Sequence, residues 1–580
     1  MNGMLPNLQQ TIHALAERLL GELRAEGHWE GELSSSALST ATAVSALSLV
    51  GVDGESRRIT AGAGWLATHQ NSDGGWGDTI DSPSNLATTL LAVSALRLAA
   101  VAESPQAAAT LEKARCFLDS RGGTTPEALA AAIQQEYGED RTFAVPILMN
   151  CALAGTVTWD HIPGLPFELA VFPHRWYRVL RLQVVSYALP ALIAIGLLVD
   201  RKNPPHNHLK RLLRRAVTPQ VLKKLRQIQP ENGGFLEATP LTSFVAMGLI
   251  PVCGREHPVA ARCLDFLRKS QRGDGSWPID TNLSVWLTTA SVAALTSAGQ
   301  LHRINGQRTA QWLAARQLQV IHPYTQAAPG GWAWTHLPGG VVDADDTSGA
   351  ILALTALEHR ESIPAGVRWL LDVQNADGGW PTFCRGWGKL PFDKSSPDLT
   401  AHALRAIGSV DPALFSKRRG KAVARGLNYL RRAAGPDGSW IPLWFGNQRA
   451  PGSTNPVLGT ARVLRALERL DPQGVAAIRG VEYLLRAQNT DGGWGGSADI
   501  ASSLEETALV VTALAAWAPG QVSAKAFLRG VEYLLQALAD STRGPVPIGL
   551  YFSHLWYSEK LYPLIWSLDA LGRAAKVCLF

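Results

Sequence analysis

Apolar residues recur along this chain at i, i+3 and i+4, the spacing of one helix face, and such runs stop at glycine-rich turns. GVRWLLDVQ at 366–374 and GVEYLLRAQ at 480–488 are two of them. Small-residue apolar segments follow the turns, as in NLATTLLAVSALRLA at 85–99 and SLEETALVVTALAAW at 503–517. The turn repeats as Gln-x3-Gly-x-Trp. It is complete at Gln70/Gly74/Trp76, Gln271/Gly275/Trp277, Gln374/Gly378/Trp380 and Gln488/Gly492/Trp494. Weaker copies are Gln229/Gly233/Phe235, Ala434/Gly438/Trp440 and, without the Gln, Gly27/Trp29. The unit reads helix, turn, helix. Gly supplies the permissive backbone that a helix C-terminus needs. Trp stacks over the turn, and Gln bonds orphan backbone groups of the next helix. Strand alternation is sparse, so the pattern predicts an all-α protein whose stacked helix pairs curl into closed α/α barrels.

One stretch breaks the pattern. HNHLKRLLRRAVTPQVLKKLR at 206–226 interleaves Lys210, Arg211, Arg214, Arg215, Lys223, Lys224 and Arg226 with leucines and valine. It reads as two short basic amphipathic helices split at Pro219, either a solvated face or a dock for anionic lipid headgroups. Nucleic acid fits poorly, because the aromatic residues lie in the repeats and not among these cations.

Composition adds bounds. At 580 residues, 46% apolar and 18% charged, the chain is globular and long enough for two large domains. Its net charge of +6 is a mild excess concentrated in the basic stretch. Six cysteines (Cys116, Cys151, Cys253, Cys263, Cys384, Cys578) form no CxxC pair, which suits a reducing compartment without disulfides or a zinc site. The start, MNGMLPNLQQTIHALAERLL, lacks a signal-peptide pattern. The longest charge-free apolar run, VVSYALPALIAIGLLV at 184–199, is broken by Pro190 and falls short of the roughly 18 residues a spanning helix needs. A cytoplasmic protein, peripheral on a membrane at most, is the expectation.

The strongest chemical signal is Asp343-Ala-Asp345-Asp346-Thr347, reached through PGGWAWTHLPGGVV. Three carboxyls so close cannot all ionise cheaply in a shielded site, so the cluster should keep a proton near neutral pH. A protonated carboxyl facing an apolar cavity is what protonation of an isolated C=C bond requires. A Mg²⁺ site is disfavoured because no DDxxD or partner motif occurs. A Ca²⁺ loop lacks its closing Glu, while a plain helix N-cap at Asp345 or Asp346 remains open.

Together, DxDDT and the repeated Gln-x3-Gly-x-Trp turn resemble the squalene–hopene and oxidosqualene cyclase family. The resemblance runs from about Gly27 to Gly572. It takes in RGG at Arg121–Gly123, LPFEL at Leu165–Leu169, PGGWAW before the acid motif and SPDLTAH at Ser396–His402. It implies two α/α barrels, one inserted in the other, around a central cavity. The inserted barrel would span 23–299, and a catalytic barrel would combine 1–22 with 300–580.

By the same resemblance Asp345 matches the proton donor, Asp343 and Asp346 its flanking carboxyls, and His402 the histidine that bonds the acid. Asp393 and Asp398 match polar support around that histidine. Aromatic faces would stabilise the travelling cation. Trp334, nine residues before Asp343, Phe383, three after Trp380, and Trp444, four after Trp440, sit at the offsets of cavity aromatics. Trp286 and Tyr187 resemble further wall, and Tyr551, Phe552 and Tyr557 fall in the aromatic C-terminal segment PIGLYFSHLWYSEKLYPLIW. Two positions depart from the family. Leu458, before Gly459-Thr460, stands where a tyrosine is expected, and Thr40 and Thr42 occupy the first-helix stretch expected to carry an acid.

The resemblance implies an enzyme that protonates and cyclises squalene or a related linear isoprenoid without cofactor or metal. It is an isomerase if the last cation loses a proton, a lyase if water captures it. A shorter prenyl diphosphate or oxidosqualene is an alternative substrate, and a non-catalytic lipid-binding toroid an alternative function. A protein prenyltransferase subunit would need an Asp/Cys/His zinc set, and Cys384 near His402 is its only trace. Partners would be the isoprenoid, the inner membrane face and, as a homodimer, a second copy of the chain.

Overall fold

In this computed structural model, the described residues are 4–51, 55–99, 105–138, 141–173, 176, 179, 189–383, 393–518, 521–551 and 555–578. The apolar segments after the turns form inner helices: α1 (Ala37–Ser48), α2 (Leu86–Leu98), α3 (Arg141–Leu153), α4 (Leu189–Lys202), α5 (Thr239–Cys253), α6 (Ser284–Ser297), α7 (Ala344–Ala356), α8 (Pro397–Ser409), α9 (Pro456–Leu470), α10 (Leu504–Leu514) and α11 (Tyr562–Cys578). Each of α1 to α5 packs on the next, and α5 returns to α1, closing one ring. A second ring runs from α6 through α11 and back to α6. The amphipathic segments before the turns make an outer layer, each burying one stripe against its inner neighbour. Met4–Gly21 joins that layer on α11, so both ends of the chain serve the second ring.

The expected limit of the inserted barrel at residue 299 does not fit these contacts. Helix α6 packs on α7 and α11, and the outer layer of the first ring ends with Pro258–Ser270. The reason is chain order within the unit. The turn at Trp277 closes the first ring against α1, so the inner helix that follows it opens the second.

The turns behave as staples. Trp380 donates its indole N–H to the Leu370 carbonyl and its backbone N–H to the Thr400 hydroxyl of α8. Trp76, Trp277, Trp440 and Trp494 repeat this with Thr89, Thr40, Thr460 and Thr507. Thr40, found where an acid was expected, is thus a staple partner. Gln374 bonds the Gly378 carbonyl and that of Ala422 in the next outer helix. Gln271 instead reaches back to Arg58, tying the last outer helix of the first ring to its first. Gly378 sits at φ +97°, and a Cβ there would lie 2.5 Å from the Arg425 carbonyl oxygen. Only Gly meets both demands.

A further staple has no counterpart in the sequence reading. Gln317 bonds the carbonyls of Gly330 and Ser362, and Trp332 bonds Leu313 and the Thr347 hydroxyl. The long insertion between Gln317 and Gly330 hides the motif. The last residue of the acid motif is therefore a structural anchor.

His208–Ile228 is one helix containing Pro219, not two short ones. Arg214 holds it down. Its guanidinium bonds Glu168 at 3.0 Å, Asp200 at 2.7 Å and the Leu165 carbonyl at 2.9 Å. The LPFEL segment is the seat of that anchor, and Val221, Leu225 and Ile228 bury beyond the proline. Tertiary packing here outweighs the missing N–H of proline. No helix among the described residues is long and apolar enough to cross a membrane.

Candidate active site

Three adjacent inner helices of the second ring meet at the acid motif. A short antiparallel ribbon pairs Trp332–Ala333 with Val342–Asp343, and Asp343 then caps α7 by accepting the Asp346 N–H at 2.8 Å. The helix-cap reading of Asp345 or Asp346 does not hold: the cap is Asp343, and Asp345 and Asp346 lie inside the first turn. Asp345, in the first turn of α7, accepts or shares a proton with His402 Nδ1 at 2.5 Å. His402 stands one turn after Asp398 on α8. From α9, Arg462 Nη1 lies 3.4 Å from Asp345 Oδ2 and 3.8 Å from Asp398 Oδ2. Asp398 also accepts from Ser396 Oγ and from the Leu443 N–H.

The electrostatics follow from burial and from these partners. Burial pushes the Asp343 carboxyl up to about 7. Burial and the neighbouring Asp343 hold Asp346 well above the usual carboxylate range. Burial also acts upward on Asp345, but Arg462 and His402 together outweigh it and hold that carboxyl below its usual range. Burial pulls His402 down against the opposing pull of Asp345. At pH somewhat below 7 the negative charge of the cluster therefore falls on Asp345, and its two neighbours hold protons.

All three carboxyls line a cavity of about 570 Å³ of empty space, counted out to its mouth. Trp286, Trp334, Phe383, Trp444 and Tyr557, named from the sequence, line it too. Trp334, Phe383 and Trp444 form a chain of tilted rings with centroids 6.5 and 6.2 Å apart. Two are pinned by their indole N–H groups, Trp334 to Asp280 at 3.0 Å and Trp444 to Thr382 at 3.1 Å. Fixed aromatic rings lining the cavity suit a migrating cation, each worth about 0.5–2 kcal/mol.

Other expected residues do not reach the wall. Leu458, in the first turn of α9 with its N–H bonded to the Asn455 cap, is fully buried and is not among the lining residues. Asp393 is buried beside the Gly378 turn, its carbonyl accepting from Asn375, and it does not line the cavity. Tyr187 and Phe552 lie outside the described residues, as does the Tyr551 side chain, whose backbone pairs with Leu555.

Phe445, Tyr562, Leu283, Leu550 and Thr382 line the cavity without having been singled out. Phe445 had a signal, as the neighbour of Trp444. Arg462 had none. In LGTARVLRAL it reads as one more polar position on an amphipathic helix, yet it lies one turn beyond Leu458 and supplies a charged contact to Asp345.

The sequence profile of the squalene–hopene cyclase N-terminal domain matches residues 12–229, and that of the C-terminal domain matches 283–544. The chain belongs to the squalene–hopene cyclase family. It is therefore a class II terpene cyclase, an enzyme family that closes rings in linear isoprenoids. A prenyltransferase alpha-alpha toroid profile also matches 180–325. A probable squalene–hopene cyclase of Sinorhizobium fredii is 25% identical over 97% of this chain and 96% of its own length. The squalene–hopene cyclase of Alicyclobacillus acidocaldarius is 26% identical over 80% of this chain and 79% of its own. Enfumafungin synthase of Hormonema carpetanum is 25% identical over 98% of this chain, which spans 48% of that relative. Among solved structures, ent-copalyl diphosphate synthase from Streptomyces platensis superposes with a TM-score of 0.61 at 21% identity, covering 98% of this chain and 99% of that one. That likeness is one of fold.

Proposed function

We propose that the chain cyclises squalene or a closely related linear polyprene, with Asp345 as the proton donor. The observation that carries this is the contrast within the acid cluster. All three residues line the cavity, and Asp345 is the least buried of them, at 8% exposure against 3% and 5% for Asp343 and Asp346. It is also the one whose anion is stabilised. A stabilised conjugate base means a strong acid, and an unactivated alkene needs a strong acid. The initiating step starts once a proton held by Asp343 or Asp346 has moved onto Asp345; the Asp345 O–H bond then breaks and the alkene π pair forms a C–H bond. The tertiary cation left on the chain faces the aromatic wall, and the carboxylate stays with His402 and Arg462. Asp343 and Asp346 hold the protons that supply the donor.

The test offers purified enzyme detergent-dispersed squalene and geranylgeranyl diphosphate in parallel, with products identified by mass. Polycyclic C30 product isomeric with squalene, or heavier by one water, is the expected result. Conversion of the diphosphate alone would move the substrate to the C20 class, and conversion of neither would sink the proposal.

We further infer that the His208–Ile228 helix docks the enzyme peripherally on anionic membrane. Leu209, Leu212 and Leu213 are exposed at 78%, 67% and 52%, and Lys210 and Arg215 flank them on the surface. Trp176 stands out beside Phe172, whose carbonyl accepts from Lys224 of the same helix. An apolar strip edged by cations matches an interfacial helix. Binding to vesicles containing anionic lipid should exceed binding to neutral vesicles about thirtyfold, from Lys210 and Arg215 at about 1 kcal/mol each near the surface. Replacing Leu209, Leu212 and Leu213 together by Ser should abolish sedimentation with either. Equal binding of wild type and triple variant would exclude this face.

A further inference from the structure

Arg462 is a cation placed where a cation-making enzyme should not want one. It does not line the cavity. Its guanidinium carbon lies 4.4 Å from the centre of the Phe445 ring and 5.2 Å from that of Trp286, both of which do. Only 14% of its side chain is exposed. The charge packs on two rings that line the cavity, and it contacts the Asp345 and Asp398 carboxyls. A guanidinium suits this position better than an ammonium, because it is planar, stacks on aromatic faces and keeps its charge when buried.

We propose that Arg462 sets the strength of the initiating acid, binding the Asp345 carboxylate that proton transfer leaves behind. This rests on the donor reading above. Two consequences follow from one contact. The protonated form of Asp345 becomes acidic enough to attack an unactivated alkene. The carboxylate it becomes is too weak a base to take the proton back from the first cations, so the cascade runs on. Arg462 is thus a positioning residue that acts through Asp345 and touches no substrate. Asp398 holds it there from α8, one turn from His402, so each acidic group of this quartet faces a basic one.

Other charged groups around Asp345 bear on its titration. Asp343 and Asp346 share its helix; His402, Asp398 and, behind His402, Arg405 come from α8; Tyr557 and Tyr562 approach Arg462 from the C-terminal segment. Among the groups acting on Asp345, Arg462 and His402 oppose its burial.

The experiment compares wild type, Arg462→Met, Arg462→Gln and Arg462→Lys across pH, on squalene and on 2,3-oxidosqualene, whose epoxide accepts a proton from a weaker acid. Loss of one neighbouring cation should lower the acid-side plateau on squalene about tenfold and raise the pH of half-maximal turnover by about one unit. The epoxide should lose less than the alkene, early-terminated mono- and bicyclic products should increase, and Lys should restore part of both effects. The Gln variant keeps a planar donor without the charge, and stands in if the Met variant precipitates. A plateau that falls equally on both substrates, with no movement along the pH axis, would mark a structural lesion and overturn the proposal. So would unchanged kinetics. A wild type that turns over neither substrate would instead defeat the donor reading itself.

Discussion

Asp345→Asn lowers squalene turnover by at least about a thousandfold, within the range a general acid contributes, while the protein stays folded. The size follows from the lack of a substitute. Asp343 spends one oxygen capping α7, and Asp346 holds its proton too tightly to give it to an alkene. An amide at 345 keeps the shape and a hydrogen bond to His402 but has no proton of comparable acidity. It also removes the anion opposite Arg462, so a modest loss of stability should accompany the loss of turnover. Product yield per mole of enzyme after long incubation is the measurement, with circular dichroism as the control for folding. Asp345→Asn with turnover near wild type would move the donor to a neighbour, and Asp346→Asn would then be the variant to fail. In the wild type, turnover should fall as pH rises through about 7, the region where Asp343 gives up its proton, because the cluster then holds fewer protons beside the donor.

Much of this was legible in the sequence because the repeat encodes its own geometry. Gln, Gly and Trp at fixed spacing make one local turn, and the apolar runs on either side say which helix is inner and which outer. The acid motif was legible for the same reason, since Asp343, Asp345, Asp346 and Thr347 all lie within one turn of one helix start. What could not be read were contacts between helices far apart in the chain. Arg462 meets Asp345 across 117 residues of sequence, and its helix carries no periodic mark that singles it out. Asp280 anchors the Trp334 indole in the same way. The Pro219 break failed because a local rule met a tertiary anchor, the Arg214 ion pairs. The Gln317 staple failed because an insertion stretched a motif whose ends still meet in space. Sequence offsets worked best where a wall residue follows its own staple, as Phe383 and Trp444 do.

Trp380→Ala should remove about 3–5 kcal/mol of stability, the usual cost of truncating a fully buried aromatic residue, and turnover should suffer beyond that. The ring is completely buried. Gly426 of the next outer helix leaves room for it, since a Cβ there would sit 3.0 Å from its edge. Its indole N–H satisfies the Leu370 carbonyl, and its backbone pairs with Ser396 and bonds Thr400. Those last contacts fix the start of α8, two residues before Asp398 and six before His402. Trp494→Ala is the matched control. It has the same burial and the same bonds, to Leu484 and Thr507, but it seeds α10, which carries none of the acid quartet. Both variants should inactivate at similarly lowered temperature, and both should show faster amide exchange in the helix that follows the lost staple. At a temperature where both remain folded, Trp380→Ala should turn over far less substrate than Trp494→Ala, with the pH of half-maximal turnover displaced, because His402 no longer meets Asp345 at 2.5 Å. Equal activity of the two would mean that the staple sets the ring but not the acid. The acid quartet would then be held by its own charges, Arg462 foremost among them.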